Sequence, residues 1–225
     1  GVDDGYFWPL DLPFEFDFYG TVYTQVAVAS NGGIYFEDVF LGVTNGQIPA
    51  ANTPNRFIAH LWDDLVIRPG RIYDQALAGA MIIQYDEVAL FDNANVNGTW
   101  QIILFPDGNI LLQYQDVAFD DANANGQRAT IGLQGDDTTG LLYSFNTPSL
   151  SDGLAICFAH PAQTSNCKFD IPWLTVTPLT ADILGDQTLP LRLDFDASAP
   201  EVTQGETYRG NLIFESNDPL YPIYR

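Results

Sequence analysis

The sequence predicts an all-β protein built from two β-sandwich domains, and three observations lead to that prediction. Helical periodicity is almost absent, because no long stretch places apolar residues three and four positions apart. Short apolar or alternating runs follow one another instead, and turns rich in Asn, Gly, Asp and Pro separate them. After Cys167 the sequence pattern changes to a proline-containing segment followed by further short runs of apolar or alternating residues. This pattern is typical of sandwiches.

The predicted strands of the first domain begin near the N-terminus. Phe14, Phe16 and Phe18 alternate with acidic residues, which places three rings on one face of a strand and indicates a core stripe. The clearest hairpin is QIILFPDGNILLQY, where Asp107-Gly108 tolerates the positive φ of a tight turn. Other strands are expected in TQVAVAS, GIYFED, RFIAHLWDDLVI, GAMIIQYDEVALF, RATIGLQ, LLYSF and LAICFA.

A domain boundary is predicted at about residues 160–170. It divides the chain into a first domain of residues 1–165 and a second of residues 166–225. Cys157 and Cys167 flank a short polar loop and have no CxxC motif or His pair nearby, which favours a disulfide over a metal site. Two reduced, buried thiols are the alternative. Trp62, Trp100 and Trp173 are predicted to be core or domain-interface residues.

The charge balance excludes one class of partner and favours one location. There are 29 acidic and 8 basic residues, a net charge of −21. Nucleic acid is excluded as a partner, because phosphate binding needs clustered Lys and Arg. Acidity fits an extracellular or cell-surface protein, although it could serve solubility alone. No apolar run reaches transmembrane length, so no membrane insertion is expected in this segment. A start without Met or signal peptide is typical of a processed or truncated chain.

Four segments follow one another in a recognisable order: LPFEFDFYGTVYTQVAVASNGGIYFED, FIAHLWDDL, TWQIILFPDGNILLQYQDV and RATIGLQGDD. Together they resemble the nidogen-like β domains of secreted bacterial proteins, over about residues 6–160. His60 departs from the pattern, since that family usually has Pro at this position. The resemblance implies a secreted β domain.

The C-terminal segments PWLTVTP, LDFDAS and GETYRGNLIFESNDP are similar to bacterial Ig-like modules related to the hydin and major-sperm-protein families, over about residues 170–225. In that family a final strand follows SNDP, whereas here only IYR remains before the chain ends, so the resemblance implies an incomplete Ig-like domain. Truncation, an N-terminal segment of the same chain, and a strand donated by a neighbouring subunit are the three open explanations. Gly1 to Leu12 is the candidate donor.

The main candidate metal site is the segment DANANG, which fits the first half of a calcium loop. Alternate side chains converge on one Ca²⁺ in such a loop, and Gly permits the sharp bend. The alternative is a surface turn in which Asn and Asp cap their own backbone. The predicted ligands are Asp121, Asn123 and Asn125, with Asp120 or Asp116 closing the shell.

Two weaker signals lie in the segment NANVNG, Asn93 to Gly98. It has the spacing of the calcium loop but offers only amides, with Asp92 beside it. Asn97 also begins an N-glycosylation sequon, a short motif that occurs often by chance.

Enzyme signatures are poor, so the sequence predicts a protein that is not an enzyme. Neither His60 nor His160 belongs to a pair with metal-ligand spacing, and no nucleophile elbow or P-loop occurs. His60 is predicted to be a satisfied core residue. Asp63 and Asp64 are adjacent on a strand, so they point apart and are unsuited to a catalytic dyad; one of them is expected to accept hydrogen bonds from a nearby loop.

The function predicted from these features is structural. We expect an extracellular adhesive or filament-building module that associates with itself, for which strand donation between subunits is one route, or with other surface proteins. A non-catalytic accessory region of a secreted protease and a glycan-binding module that uses exposed Tyr and Trp are the alternatives.

Overall fold

The computed structural model describes residues 2–39, 42–51, 53–117, 125–161, 167, 173–183, 187–199, 202, 204–205, 214–215 and 223–224. The regular elements in these ranges are β-strands, which confirms the all-β prediction. The chain divides into two compact units, Gly1–Lys168 and Phe169–Arg225. Within the described ranges no helix is long and apolar enough to cross a membrane.

The first unit is a β-sandwich of two antiparallel sheets around one main core. One sheet has the strand order β1-β2-β3-β4-β10-β11, and the other has β12-β9-β8-β7-β5 with β6 also paired to β7. The strands β1 to β12 are Tyr6–Phe18, Thr21–Ala29, Gly33–Tyr35, Phe57–Trp62, Leu65–Val66, Arg71–Leu77, Ala80–Leu90, Asn93–Leu104, Ile110–Asp116, Thr130–Gln134, Gly140–Phe145 and Leu154–Phe158.

The hairpin between β8 and β9 forms where the sequence predicts it. Leu104 pairs with Ile110 across the turn. Gly108 has a φ of 85°, and its N–H donates to the Phe105 carbonyl at 3.0 Å. Glycine adopts this conformation without the steric cost that a side chain would bring, so the Asp-Gly pair closes the turn.

The phenylalanine stripe of β1 faces the core, as predicted. Phe16 and Phe18 are buried and stack on Phe36. Trp62 and Trp100 are buried as well, which confirms their prediction as core residues. Each such side chain contributes roughly 2–3 kcal/mol of transfer free energy, so these rings are a principal reason why the sheets stay together.

The segment RFIAHLWDDLVI forms two strands that belong to different sheets. Phe57–Trp62 pairs with β3 and β10, whereas Leu65–Val66 pairs with β7. The chain crosses from one sheet to the other at Asp63 and Asp64. The crossover therefore places two carboxylates at a junction between the sheets.

The N-terminal segment is already part of the first sheet. Tyr6 pairs with Ala29 and Asp11 with Gln25, both on β2. A donor strand must be free to leave its own domain. The prediction that Gly1 to Leu12 offers such a strand is therefore wrong for residues 6–12, whose backbone pairs within this unit.

The segment Asn93–Gly98 lies in β8 and is not a loop. Asn97 pairs with Ala89, and Thr99 Oγ1 accepts a hydrogen bond from the Glu87 N–H at 3.1 Å. The segment predicted as the weaker calcium loop is thus part of a strand with a register shift between Asn93 and Asn97, and calcium binding there stays a prediction. Glycosylation of Asn97 stays a prediction.

Cys157 in β12 forms a disulfide with Cys167, which confirms that prediction. The second unit contains two described strand pairs: β13 (Leu174–Thr177) with β14 (Arg192–Phe195), and β15 (Phe214–Glu215) with β16 (Ile223–Tyr224). β16, close to the end of the chain, thus pairs with β15, the strand that precedes it. That this unit is Ig-like and one strand short stays a prediction.

Candidate functional site

The predicted calcium loop is only partly within the described structure. Asp120, Asp121 and Asn123 lie outside the described residues, whereas Asp116 ends β9 and Asn125 begins a turn. The Asn125 carbonyl accepts hydrogen bonds from two backbone N–H groups, those of residues 149 and 150. Its side-chain oxygen Oδ1 is buried and has no hydrogen-bond partner among the described residues. Calcium binding by this loop stays a prediction.

A second acidic cluster lies at the crossover between the sheets, and the sequence analysis missed it. Asp3, Asp4 and Asp64 each place one carboxylate oxygen within 4.8 Å of the other two. An isolated antiparallel bridge between Val2 and Ile67 brings the N-terminus to this position.

The side chain of Asn31 fixes the position of the cluster through hydrogen bonds. It is fully buried, and its Nδ2 donates to Asp4 Oδ1 at 2.9 Å while its Oδ1 accepts from the Leu65 N–H at 3.1 Å. One amide therefore fixes both the N-terminal segment and the start of β5. Oxygen ligands of this kind suit a hard divalent cation, although calcium usually takes six to eight of them.

Burial and like charge both act on Asp64. The pKa of its carboxyl is raised by burial first, and then by the charges of Asp4 and Asp3. Its Oδ1 is buried and has no hydrogen-bond partner in the described part of the chain. The ionised form of Asp64 is thus less stable in the folded protein than in the unfolded chain.

Asp63 faces a different partner. Its Oδ1 accepts from the Asp64 N–H at 2.8 Å and lies 3.6 Å from Arg128, which also contacts Asp92 at 2.7 Å. Burial is the main cause that raises the pKa of Asp63 to about 6, and Arg128 opposes it. The hydrogen bond that Asp63 accepts therefore comes from its own neighbour, whereas the prediction placed the donor in a nearby loop. Both partners of Asp63 stabilise the crossover.

A regular, exposed edge strand is the most distinctive surface of the first unit. β6 pairs with β7 through seven successive residue pairs without a bulge, from Arg71 with Asp86 to Leu77 with Ala80. The described strands place no partner on its other edge. Every residue of β6 except Ile72 is exposed, including Tyr73 at 50% and Leu77 at 43%. Such an edge can template the addition of another strand.

The inner face of this edge strand carries a charge. Asp74 is paired with Ile83, which is buried, so Asp74 points to the side of β6 that faces the opposite sheet. There it lines a crevice of about 120 Å³ together with Phe7, Leu10 and Ile72. An inward charge on an edge strand discourages pairing with purely apolar strands.

The comparison with protein families identifies the first unit. The family model described as NIDO related matches residues 1–170. The chain belongs to the NIDO-related family. No solved structure matches it. The match ends near the limit of the first unit and supports the nidogen-like resemblance, whereas the Ig-like resemblance of the second unit has no such support. A NIDO-related domain with a disulfide fits an extracellular module.

In this NIDO-related chain His60 is a core residue, as predicted. It is fully buried, and its Nδ1 accepts a hydrogen bond from Trp100 Nε1 at 2.9 Å. The ring lies 4.5 Å from that of Tyr85. Burial lowers the pKa of His60 to about 3, so the side chain is neutral at physiological pH. Its role in the NIDO-related domain is to complete the packing between the sheets.

A first prediction concerns the acidic cluster of the NIDO-related domain. With a chelator present, Asp64→Asn is expected to raise the free energy of unfolding at pH 7 by about 0.5–1 kcal/mol, because it removes one of three like charges from a partly buried site. Chemical denaturation measures the change. The gain should shrink as the pH falls through the raised pKa of Asp64 and vanish below the ordinary pKa of 3.8, where the wild-type carboxyl is protonated in both states.

Glu15→Gln is the control for this prediction. Glu15 is exposed on β1, and the substitution changes the net charge by the same amount. An equal gain in both variants would show that overall charge acts, and not the contact between Asp64 and its neighbours.

Proposed function

We propose that this NIDO-related chain is an extracellular structural module that joins copies of itself by pairing strands along the edge of β6. The observation that supports this proposal is that no other described strand pairs with the outer edge of Arg71–Leu77, which is regular over its whole length. A second copy would satisfy a row of backbone donors and acceptors and extend the sheet.

The other long edge strand is unsuited to this role. β1 has register shifts between Phe7 and Leu10 and again between Asp11 and Phe16. It also contains Pro9 and Pro13, which have no N–H to donate. Bulges and prolines protect an edge from pairing, whereas β6 carries only the inward charge of Asp74, so β6 is favoured over β1 for assembly.

Exposed side chains on β6 support a specific pairing. Tyr73 and Leu77 lie on the outward face, because they alternate with Asp74 on the inward face. An antiparallel second copy in the register that places Gln75 opposite Gln75 sets Tyr73 opposite Leu77 twice, and aromatic–aliphatic cross-strand pairs are favourable. The register centred on Asp74 would oppose two carboxylates. Charge therefore favours the first register over the second.

The test is self-association of the whole chain, measured by sedimentation equilibrium and negative-stain microscopy. Wild-type protein is expected to form dimers as its concentration rises, because pairing of β6 with β6 uses the outer edge of β6 in each copy. Tyr73→Lys with Leu77→Lys should weaken this association at least tenfold, or about 1.4 kcal/mol, because lysines on an edge repel and solvate it.

Val22→Lys is the matched control, since Val22 is an exposed residue of β2. It should associate like the wild type. A wild-type chain that remains monomeric at the highest soluble concentration would refute the proposal. Equal weakening by the Val22 variant would show that β6 is not the contact.

A further inference from the structure

A cleft opens at one end of the first unit, where three segments meet. The turn between β1 and β2 contributes Asp17 to Gly20, the turn between β8 and β9 contributes Gly108, and the chain that leaves β12 contributes Phe158 to Pro161. The volume of the cleft is about 270 Å³. This is close to the lower limit for small-molecule pockets and large enough for one side chain or a small organic molecule.

The floor of the cleft is apolar and aromatic. Phe18, Ile110, Leu133 and Phe158 line it and are all buried. They belong to both sheets, so the floor is part of the rigid core. A hydrocarbon group placed on this floor would lose contact with water and gain contact with rings.

The rim of the cleft is polar and negatively charged. Asp17 Oδ1 accepts a hydrogen bond from the Gly20 N–H at 2.8 Å, which fixes the carboxylate, and Asp17 Oδ2 lies 4.0 Å from His160 Nε2. Tyr19 lies beside them. Its pKa is raised to about 12 by burial and then by the charge of Asp136, so the phenol stays neutral and a second carboxylate is close. None of the described residues that line the cleft is Lys or Arg, and the guanidinium of Arg56, which lies beside it, donates to the backbone carbonyls of Phe18 and Tyr19.

Asn109 and Gly108 together fix the position of His160 at the rim. Its N–H donates to Asn109 Oδ1 at 2.6 Å. Gly108 leaves the space that the imidazole occupies, because a Cβ on Gly108 would lie 2.8 Å from the His160 ring. The shape of the rim is thus built into the β8–β9 turn.

We propose that this cleft binds an organic cation on an apolar stem, an alkylammonium or guanidinium group whose stem lies on Phe18 and Phe158 and whose charge lies near Asp17. Aromatic rings and a carboxylate together favour such a group, because a cation gains from ring faces and from the opposite charge. The chain carries a net charge of −21, which also draws cations towards it. This site is separate from the β6 edge, so it goes beyond the proposed function.

The first experiment compares two probes of nearly equal shape on the whole chain by ligand-observed NMR. Choline carries a quaternary ammonium, and 3,3-dimethylbutan-1-ol replaces it with a neutral carbon. Choline is expected to bind about fivefold or more tightly than the neutral alcohol, as expected for a cation beside rings and a carboxylate. Equal affinity of the two probes, or no binding of choline, would overturn the proposal.

Variants place the binding at the cleft. Asp17→Asn keeps the acceptor for the Gly20 N–H but removes the charge, and it should abolish the preference for choline. Asp11→Asn is the matched control, because Asp11 lies on the same strand, outside the cleft, and accepts a hydrogen bond from Gln25. It should keep the preference. Preference retained in the Asp17 variant, with folding verified by its unfolding curve, would overturn the proposal.

A second arm identifies the source of the cation. Short peptides with one lysine or one arginine are compared with the same peptide carrying norleucine. Tighter binding of the basic peptides supports a side chain of a partner protein as the ligand. Binding of choline without binding of the peptides supports a free small cation. Both results support the cleft as a cation site, whereas a norleucine peptide that binds as well as the basic ones would contradict it.

Discussion

Replacing Gly32 with alanine is expected to cost about 3–4 kcal/mol of unfolding free energy, the largest loss that we predict for a single methyl group in this protein. Gly32 has a φ of 75°, and a Cβ there would lie 1.8 Å from the Leu61 carbonyl oxygen and 2.4 Å from its carbon. These are backbone atoms of a central strand, so they cannot move aside cheaply. The Gly32 carbonyl also accepts hydrogen bonds from the N–H groups of His60 and Leu61.

Gly20→Ala is the control that separates close approach from backbone conformation. Gly20 has a φ of 76°, nearly that of Gly32, but a Cβ there would meet nothing within 4 Å. The Gly20 variant should therefore lose only the free energy that a left-handed backbone conformation costs a residue with a Cβ, about 1–2 kcal/mol. Equilibrium denaturation in urea measures both variants. Equal losses would show that the contact between the Gly32 turn and β4 adds nothing.

Acidification should destabilise the protein through His60. Its pKa is about 3 in the folded state, against 6.5 for an exposed histidine, because burial opposes the charge. Between these two values the unfolded chain binds a proton that the folded chain does not. The free energy of unfolding therefore has its full value above pH 6.5 and decreases as the pH is lowered, by about 3 kcal/mol at pH 4.

His60→Gln is the variant that tests this effect. Glutamine keeps an acceptor for Trp100 Nε1 and cannot titrate, so its stability should depend less on pH than that of the wild type. The pKa of Asp63 is raised to about 6, which acts in the opposite direction, but Asp63 is present in both proteins and cancels in the difference. Denaturation curves at pH 7 and pH 4 measure the difference. Parallel pH profiles would contradict the prediction.

Local patterns were sufficient to predict the parts of the fold that local chemistry determines. The Asp107-Gly108 turn closes because its own residues permit the geometry, and the rings of Phe16 and Phe18 enter the core because alternation sends them to one face. The nearness of Cys157 and Cys167 in sequence predicted their disulfide for the same reason.

Patterns that depend on distant partners were misread. Asn and Gly in Asn93–Gly98 favour turns, but β7 pairs with Asn93, Asn97 and Gly98 and holds the segment in a strand. Arg71–Leu77 carries too few apolar residues to stand out as a strand, because it buries almost nothing and depends on its backbone pairing with β7. In both segments the neighbouring strand overrides local preference.

The candidate sites show the same limit. The acidic pairs at residues 3–4 and 63–64 are visible in the sequence, but only the bridge between Val2 and Ile67 brings them together. The cleft at Asp17 combines two turns and the exit of β12, at residues 17–20, 108 and 158–161, which are far apart along the chain. A turn motif alone predicts its own geometry and not the turns beside it.

The bond between Cys157 and Cys167 determines how tension would travel through this chain. A pull applied beyond Cys167 reaches β12 through the two sulfur atoms, so the nine residues between the cysteines carry no force. That pull meets a ladder of five residue pairs with β9. Reduction would release roughly 30 Å of slack, since an extended chain spans about 3.4 Å per residue. The disulfide therefore keeps the segment that leaves the first unit at a fixed length under tension.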